Sequence, residues 1–151
     1  MAIRLFIDGA AGTTGLEIRE RLQGRSEFEL IVLDDAQRKD EAARRDALHA
    51  ADVAILCLPD EAAKDAVRLA NGAATRIIDA SSAHRVTGGW TYGFPEMAKD
   101  QRQKLLDSNR ISNPGCYPTG AIAILRPLVD AGLVRADSTP AVFGVSGYTG
   151  G

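Results

Sequence analysis

One cysteine of this sequence stands in a setting that favours reactivity. Cys116 follows Asn113-Pro114-Gly115 and precedes Tyr117-Pro118-Thr119-Gly120, so turn-forming residues flank it on both sides. The pattern predicts that Cys116 begins a helix, where the helix dipole favours a thiolate, the form of cysteine that attacks acyl carbons. The alternative is a buried structural thiol, the common state of a free cysteine. Cys57, within a continuous apolar run, fits that alternative better.

A glycine-rich loop supplies the second chemical signal. Gly9, Gly12 and Gly15 recur at three-residue spacing between a predicted strand and a predicted helix. This spacing is a variant of the G-x-G-x-x-G dinucleotide fingerprint, whose glycines permit a tight turn, close approach to the pyrophosphate and close helix packing. The helix N-terminus offers N–H groups to phosphate oxygens, and Thr13 and Thr14 can add hydroxyl donors. The loop predicts a nucleotide cofactor; a plain strand-to-helix turn is the alternative.

The residues after the second predicted strand bear on which cofactor is bound. Asp34 lies about 20 residues after Gly15, the distance expected of a carboxylate that binds the ribose. Arg38 and Lys39 follow closely, and a cation there suits the 2′-phosphate that distinguishes NADP. Each also has a plainer interpretation, Asp34 as a turn residue and the two cations as a solvated helix start. The sequence leaves these alternatives open.

A further polar segment, Asp79-Ala80-Ser81-Ser82-Ala83-His84-Arg85, follows the fourth predicted strand. In open parallel sheets ligands bind outside the carboxyl ends of the strands. Arg85 suits a substrate phosphate or carboxylate, unless it is an ordinary surface arginine. His84 invites a general-base role, although a lone loop histidine is more often exposed or structural. No Cys/His cluster has the spacing of a metal site, so no metal is predicted.

A thiolate and a dinucleotide on one chain indicate a particular chemistry. Attack of the sulfur on an activated acyl group gives a thioester, and hydride from the nicotinamide then yields an aldehyde. The reverse reaction oxidises an aldehyde through the same intermediates.

The elements that must position these residues alternate between strand and helix. Strands are predicted at 3–7, 28–33, 53–58, 76–79, 110–112 and 139–145, and helices at 15–23, 38–50, 60–70, 97–107 and 116–130, with a long loop at 81–96. This order predicts an α/β fold, a Rossmann-like doubly wound parallel sheet, with only the start of a second α+β substrate domain present. The predicted boundaries are 1–115 for the dinucleotide-binding domain and 116–151 for the nucleophile-bearing helix and first strand of the incomplete domain.

Composition excludes several classes. The chain has 151 residues, 45% of them hydrophobic and 25% charged, which suits one ordinary globular domain. A net charge of −2 gives no basic surface for nucleic acid. The longest apolar run, 53–58, is far shorter than the ~20 residues of a membrane helix. Two cysteines make no disulfide framework, so a reducing cytoplasm is expected.

Five blocks of the sequence together resemble the N-acetyl-gamma-glutamyl-phosphate reductase family, in its shorter type. They are Gly9-Ala10-Ala11-Gly12-Thr13-Thr14-Gly15, Asp79-Ala80-Ser81-Ser82-Ala83-His84-Arg85, Tyr92-Gly93-Phe94-Pro95-Glu96, Asn113-Pro114-Gly115-Cys116-Tyr117-Pro118-Thr119-Gly120 and Ser146-Gly147-Tyr148-Thr149-Gly150-Gly151. The blocks span nearly the whole chain in the order of the family. The glycine loop alone is a weak signal, whereas the block around Cys116 is specific.

The resemblance implies NADPH-dependent reduction of N-acetyl-glutamyl 5-phosphate to N-acetylglutamate 5-semialdehyde, a step of arginine biosynthesis. It implies that Cys116 is the nucleophile that forms the thioester. The spacing and the resemblance together give the predicted cofactor-binding residues Gly9, Gly12, Thr13, Thr14, Gly15, Asp34, Arg38 and Ser81. The predicted substrate-binding residues are Arg85, Asn113, Ser146 and Gly147. The catalytic base of the family is a histidine in its second half, and His84 does not match it.

Two other functions compete with this one. The Ser-Ser-Ala-x-Arg pattern also resembles aspartate-semialdehyde dehydrogenase, where such an arginine holds the substrate phosphate, but that family has Asn directly before the cysteine and this chain has Gly115. The second alternative is a truncated, non-catalytic dinucleotide-binding module. The chain ends inside a glycine-rich block, so we expect a fragment or cleaved piece that a second polypeptide completes. Its expected partners are a phosphorylated small molecule and further copies of itself.

Overall fold

A computed structural model describes residues 1–145 and 147 of the chain. Its strands are β1 (Ile3–Asp8), β2 (Phe28–Ile31), β3 (Val53–Leu56), β4 (Arg76–Asp79), β5 (Thr91–Tyr92) and β6 (Arg110–Ser112). Its α-helices are α1 (Thr13–Leu22), α2 (Glu41–Ala50), α3 (Asp60–Leu69), α4 (Gln101–Asp107) and α5 (Cys116–Asp130), with short 3-10 helices at Gln37–Lys39 and Pro95–Met97.

The six strands form one sheet in the order β2-β1-β3-β4-β6-β5, and every paired strand is parallel to its neighbour. The strand order reverses at β1, because β2 lies on one side of it and β3 on the other. Right-handed crossovers then place α1 on one face of the sheet and α2 and α3 on the other. This is the predicted doubly wound Rossmann-like sheet, and the reversal point is where such sheets bind ligands.

The core lies between the sheet and helices α2 and α3, which pack on each other. The two helices face the sheet largely with alanines, and Ala63 and Ala66 are completely buried. Small side chains let the helices approach the strands closely, against Leu56 of β3 and Ile77 of β4. Burial of this apolar surface holds the carboxyl ends of the central strands in fixed positions.

Four predictions about elements need correction. The helix predicted at 97–107 begins only at Gln101. Strand β5 was missed within the loop predicted at 81–96, since two residues give no periodic signal. The helix predicted at 38–50 is a 3-10 turn followed by α2, which begins after the N-cap Asp40. The strand predicted at 139–145 is wrong, because those residues form no regular structure. Their apolar side chains suit a strand, but a strand needs a neighbour, and no described residue pairs with them.

Helix α5 has the predicted bounds and is followed by Gly132, whose φ of +71° lies in the left-handed region. None of its residues is buried, although the helix is rich in apolar side chains, and Ile124 is 66% exposed. Within the described part of the chain, no helix combines the length and apolarity needed to cross a membrane.

Candidate active site

The glycine loop turns from β1 into α1 with no room for side chains at two of its glycines. Gly9 has a φ of +89°, and a Cβ there would overlap the carbonyl group of Cys57. A Cβ at Gly15 would overlap the carbonyl of Gly9 and lie 2.7 Å from the Cα of Ala10. Backbone atoms make these contacts and cannot move aside as a flexible side chain can. The loop therefore requires glycine at both positions.

The third glycine exposes the start of α1. Gly12 is the N-cap, and its N–H donates to the carbonyl oxygen of Gly9 at 3.0 Å. No side chain caps the helix, so the first-turn N–H groups of Thr13, Thr14 and Gly15 have no partner among the described residues. These N–H groups and the helix dipole form an anion site. A Cβ at Gly12 would make only an ordinary 3.5 Å contact, so space within the protein does not demand this glycine.

A cavity of about 410 Å³ opens beside the loop, between the carboxyl ends of β1 and β2. Four cationic side chains and two carboxylates line it: Arg19, Arg38, Lys39, Arg44, Asp8 and Asp35. Both carboxylates are paired, since Asp8 accepts from Nη2 of Arg44 at 2.8 Å and Asp35 lies 3.4 Å from Nη2 of Arg38. The charge of the cavity is positive on balance, which suits a ligand that carries phosphates.

The side chain of Asp34 stabilises a local turn. Its Oδ1 accepts from the N–H of Ala36 at 2.9 Å and from the N–H of Gln37 at 2.8 Å. Asp34 does not line the cavity, whereas Arg38 and Lys39 do. The partly buried pair of Asp8 and Arg44 has no signal in the sequence, because its members are 36 residues apart and are brought together by α2 packing beside β1.

A buried carboxylate organises the loop after β4. Asp79 is completely buried and accepts from the N–H of Ser81 at 3.0 Å and from its hydroxyl at 2.7 Å. Nδ1 of His84 lies 2.6 Å from the same carboxylate. The ring of His84, 7% exposed, stacks on Trp90 with 4.1 Å between ring centroids. These contacts agree with a structural histidine and not with an exposed general base.

The structure brings Arg85 to the turn before Cys116. A Cβ at Gly115 would lie 2.7 Å from Nη1 of Arg85, so the guanidinium rests directly on this glycine. Asn113 is held at the same edge, because its N–H donates to the carbonyl oxygen of Asp79 at 2.7 Å. Three residues predicted to contact substrate or to attack it, Arg85, Asn113 and Cys116, therefore meet where β4 and β6 end.

Cys116 is exposed and is the first residue of α5, with Gly115 as the N-cap and no side-chain cap. It lies at the rim of a second cavity of about 630 Å³, whose walls are mainly apolar and include Gly147. Ser146, the other predicted residue of this loop, lies outside the described residues. An exposed thiol at a helix N-terminus beside a guanidinium is positioned for nucleophilic attack on an anionic substrate.

The second cysteine, Cys57, is less exposed than Cys116. Cys57 is half-buried, and burial raises the pKa of its thiol to about 11, with further contributions from the negative charges of Asp79 and Asp8. At neutral pH this thiol is protonated and therefore a weak nucleophile. In the described residues no group of three or more His, Cys, Asp or Glu side chains is arranged to hold a metal ion.

Comparison with known proteins identifies the class to which this fold and site belong. The sequence model described as "Semialdehyde dehydrogenase, NAD binding domain" matches residues 4–105. The chain belongs to the semialdehyde dehydrogenase family and contains its NAD-binding domain.

Within that class, its curated relatives carry the name that the sequence motifs suggest. The chain is 56% identical over 147 residues to "N-acetyl-gamma-glutamyl-phosphate reductase 2" of Pseudomonas putida, covering 97% of this chain and 47% of the relative. It is also 56% identical over 152 residues to "N-acetyl-gamma-glutamyl-phosphate reductase" of Brucella ovis, covering 100% and 49%. These matches confirm the resemblance. The chain spans about half the length of these relatives.

Solved structures of lower identity share the fold. Aspartate semialdehyde dehydrogenase II of Vibrio cholerae matches with a TM-score of 0.62 and 20% identity, covering 87% of this chain and 43% of that one. The enzyme of Candida albicans solved with NADP matches with a TM-score of 0.58 and 15% identity, covering 87% and 48%. The similarity extends the Rossmann-like fold beyond residue 105, because 87% of the chain is covered.

Proposed function

We propose that this chain is the cofactor-binding and nucleophile-bearing part of an NADPH-dependent reductase that converts N-acetyl-glutamyl 5-phosphate to N-acetylglutamate 5-semialdehyde, a step of arginine biosynthesis. The observation that carries the proposal is the placement of Cys116, exposed at the start of α5 with the guanidinium of Arg85 on the residue before it. The names of the relatives at 56% identity support the choice of substrate.

The residues around the glycine loop fit a phosphorylated dinucleotide. Gly9 and Gly15 shape the turn, while Gly12, Thr13 and Thr14 present the anion site that would hold the pyrophosphate. Arg38 would hold the 2′-phosphate, since it lines the positively charged cavity. Ser81, which follows β4 and is bonded to Asp79, would be a further contact of the cofactor. The carboxylate of Asp34 serves the turn with Oδ1, and its proposed contact with the ribose would use Oδ2.

In the proposed reaction the sulfur of Cys116 attacks the acyl carbon of the substrate. The S–C bond forms as the C–O bond to the phosphate breaks, and inorganic phosphate leaves with the bonding pair. Arg85 binds an anionic group of the substrate, and Asn113 with the loop at Ser146 and Gly147 completes the substrate contacts. NADPH, when bound, supplies the hydride that reduces the acyl group. Release of the aldehyde returns the thiolate of Cys116.

The wider organisation belongs to the same proposal. We place the dinucleotide-binding domain at 1–115 and the start of a substrate domain at 116–151, and we propose a second polypeptide as a partner that packs on it. The exposed apolar side chains of α5 and of residues 142–145 support a further packing partner. A homo-oligomer in the cytoplasm, acting on a phosphorylated small molecule and on neither nucleic acid nor membrane, completes the proposal.

The experiment that tests the function uses the complete reductase that contains this part, and it follows NADPH absorbance on addition of N-acetyl-glutamyl 5-phosphate, with aspartyl phosphate as the comparison substrate. The account expects oxidation of NADPH and release of phosphate with the acetylated substrate and a far slower reaction with the shorter one. Preference for aspartyl phosphate would instead indicate aspartate-semialdehyde dehydrogenase.

The same sample is titrated with NADPH by calorimetry. Binding of NADPH without turnover would favour a non-catalytic dinucleotide-binding module. This alternative is tested because the chain spans about half the length of its relatives.

Replacement of Arg38 tests the choice of NADP. In Arg38→Ala the dissociation constant for NADPH is expected to rise about tenfold or more, since a charge-assisted phosphate contact contributes about 1.5–3 kcal/mol, while NADH binding stays unchanged. Arg45→Ala is the matched control, because Arg45 is also an exposed arginine paired with a nearby acid and does not line the cavity. Equal losses for NADPH and NADH in Arg38→Ala would rule out a 2′-phosphate contact. Isothermal titration calorimetry measures the dissociation constants for NADPH and NADH in the wild type and in both variants.

A further inference from the structure

The loop that carries Arg85 is fastened at two carboxylates on different elements. Asp79, at the end of β4, receives the N–H and hydroxyl of Ser81 and Nδ1 of His84. Asp60, at the start of α3, accepts from the N–H of Ser82 at 2.9 Å and from its hydroxyl at 2.6 Å. These bonds, with that of the Ser82 hydroxyl the largest cause, hold the pKa of Asp60 below its ordinary value. The loop is anchored on both sides of its first turn.

His84 is the last anchor before Arg85. Its Nδ1 lies on a carboxylate that is completely buried, and its ring stacks on Trp90, which packs against the core. Arg85 has no ion-pair partner among the described residues, and its Nε is buried without a hydrogen-bond partner. The position of its guanidinium on Gly115 therefore depends on the backbone that His84 fixes, and not on a carboxylate of its own.

We propose that His84, held by Asp79 and Trp90, is a positioning residue that keeps the guanidinium of Arg85 beside Cys116. There the guanidinium binds an anionic group of the substrate. The inference rests on the proposed function and assigns His84 a role in the same site. The proposal gives His84 no role as the base of the reaction, because its ring is buried and stacked on Trp90. Its effect on substrate and thiol passes through Arg85.

The position of the guanidinium can be measured without turnover, through the exposed thiol of Cys116. The sample is alkylated at pH 8 with negatively charged iodoacetate and, separately, with neutral iodoacetamide, and the rate at Cys116 is followed by mass spectrometry of its peptide. Thiolate fraction and accessibility enter both rates and cancel in their ratio. The iodoacetate-to-iodoacetamide ratio therefore reports the charge near the thiol. Cys57 is followed separately by its own peptide.

Four variants make the test. Arg85→Gln is expected to lower the ratio about five-fold, the size of a Coulomb interaction over about 4 Å in water, which suits an exposed thiol. His84→Phe retains an aromatic ring but not the bond to Asp79, and we expect most of the same decrease. The double variant is expected to fall no lower than Arg85→Gln, since His84 acts through Arg85. His49→Phe is the matched control, because the Nε2 of His49 also makes one hydrogen bond, 3.0 Å from the carbonyl oxygen of Leu69.

The alkylation ratios test the role of His84 separately from the proposed function. A wild-type ratio in His84→Phe, or in Arg85→Gln, overturns it, and so does a double variant that falls below Arg85→Gln. If His84→Phe does not fold by circular dichroism, His84→Ala takes its place, with the same expected decrease and the same contradicting result. His84→Asn, which keeps a side-chain donor, is expected to restore part of the ratio. Failure of the reductase assay would contradict the proposed function. The alkylation ratios could still be interpreted, because they are measured without turnover.

Discussion

Replacing Gly9 with alanine is expected to destabilise the chain by about 3 kcal/mol and to abolish measurable NADPH binding. The new Cβ would strain a residue with a φ of +89° and would also meet the carbonyl group of Cys57 on the neighbouring strand end. Relief requires a shift of the loop away from β3, which moves the first-turn N–H groups of α1. Urea unfolding measures the loss of stability, and calorimetric titration measures NADPH binding.

Gly72→Ala is the matched control for this prediction. Gly72 has a φ of +83°, but no atom lies within 4 Å of a Cβ built there. The substitution therefore carries the backbone strain alone, about 1–2 kcal/mol, and NADPH binding is expected to be unchanged. Equal destabilisation by the two substitutions would show that the close approach of Gly9 to Cys57 contributes nothing.

Replacing Cys116 with serine is expected to lower the rate of acyl phosphate reduction by about 10³-fold or more. A serine hydroxyl stays protonated at neutral pH and is a far weaker nucleophile than a thiolate. Because Cys116 is exposed, the substitution creates no cavity, and stability and NADPH affinity are expected to stay at wild-type values. The assay is the initial rate of NADPH oxidation with N-acetyl-glutamyl 5-phosphate.

The second cysteine provides the control. Cys57→Ser makes the same chemical change at a half-buried thiol whose pKa is about 11. Its rate is expected to stay within about threefold of wild type, since a protonated thiol takes no part in nucleophilic attack. Comparable losses in both serine variants would contradict the assignment of Cys116 as the nucleophile.

The sequence predicts the framework of the fold well because its signals are local. Continuous apolar runs such as 53–56 mark strands that are covered on both faces, and the glycine spacing marks the turn from β1 into α1. Proline and glycine bracket α5, which has the predicted bounds. Each of these signals lies within a few residues of the element that it predicts.

The errors arise where tertiary context decides the structure. β5 is a strand only because Thr91 and Tyr92 pair with Ile111 and Ser112 of β6. Residues 139–145 have the apolar composition of a strand but no strand beside them among the described residues. Strand formation depends on a partner, which composition does not reveal.

The sequence identifies individual residues of the candidate site but not their proximity, because tertiary structure decides which residues meet. Cys116 and Arg85 could be singled out by residue type and flanking turns, but their proximity required the parallel pairing of β4 with β6. The contacts of His84 with Asp79 and Trp90 have no signature in the sequence. At Asp34 the turn interpretation, open from the sequence, is the one whose contacts the structure shows.

If the sulfur of Cys116 accepts an acyl group from a phosphorylated acid, that acyl group can be trapped on the protein. The chain is mixed with N-acetyl-glutamyl 5-phosphate in the absence of NADPH, quenched in acid and mapped by mass spectrometry. The account predicts one N-acetylglutamyl group on Cys116, removed by hydroxylamine and absent from Cys116→Ser. Phosphate release with no acyl group on Cys116, or the same adduct on the Cys116→Ser chain, would contradict it.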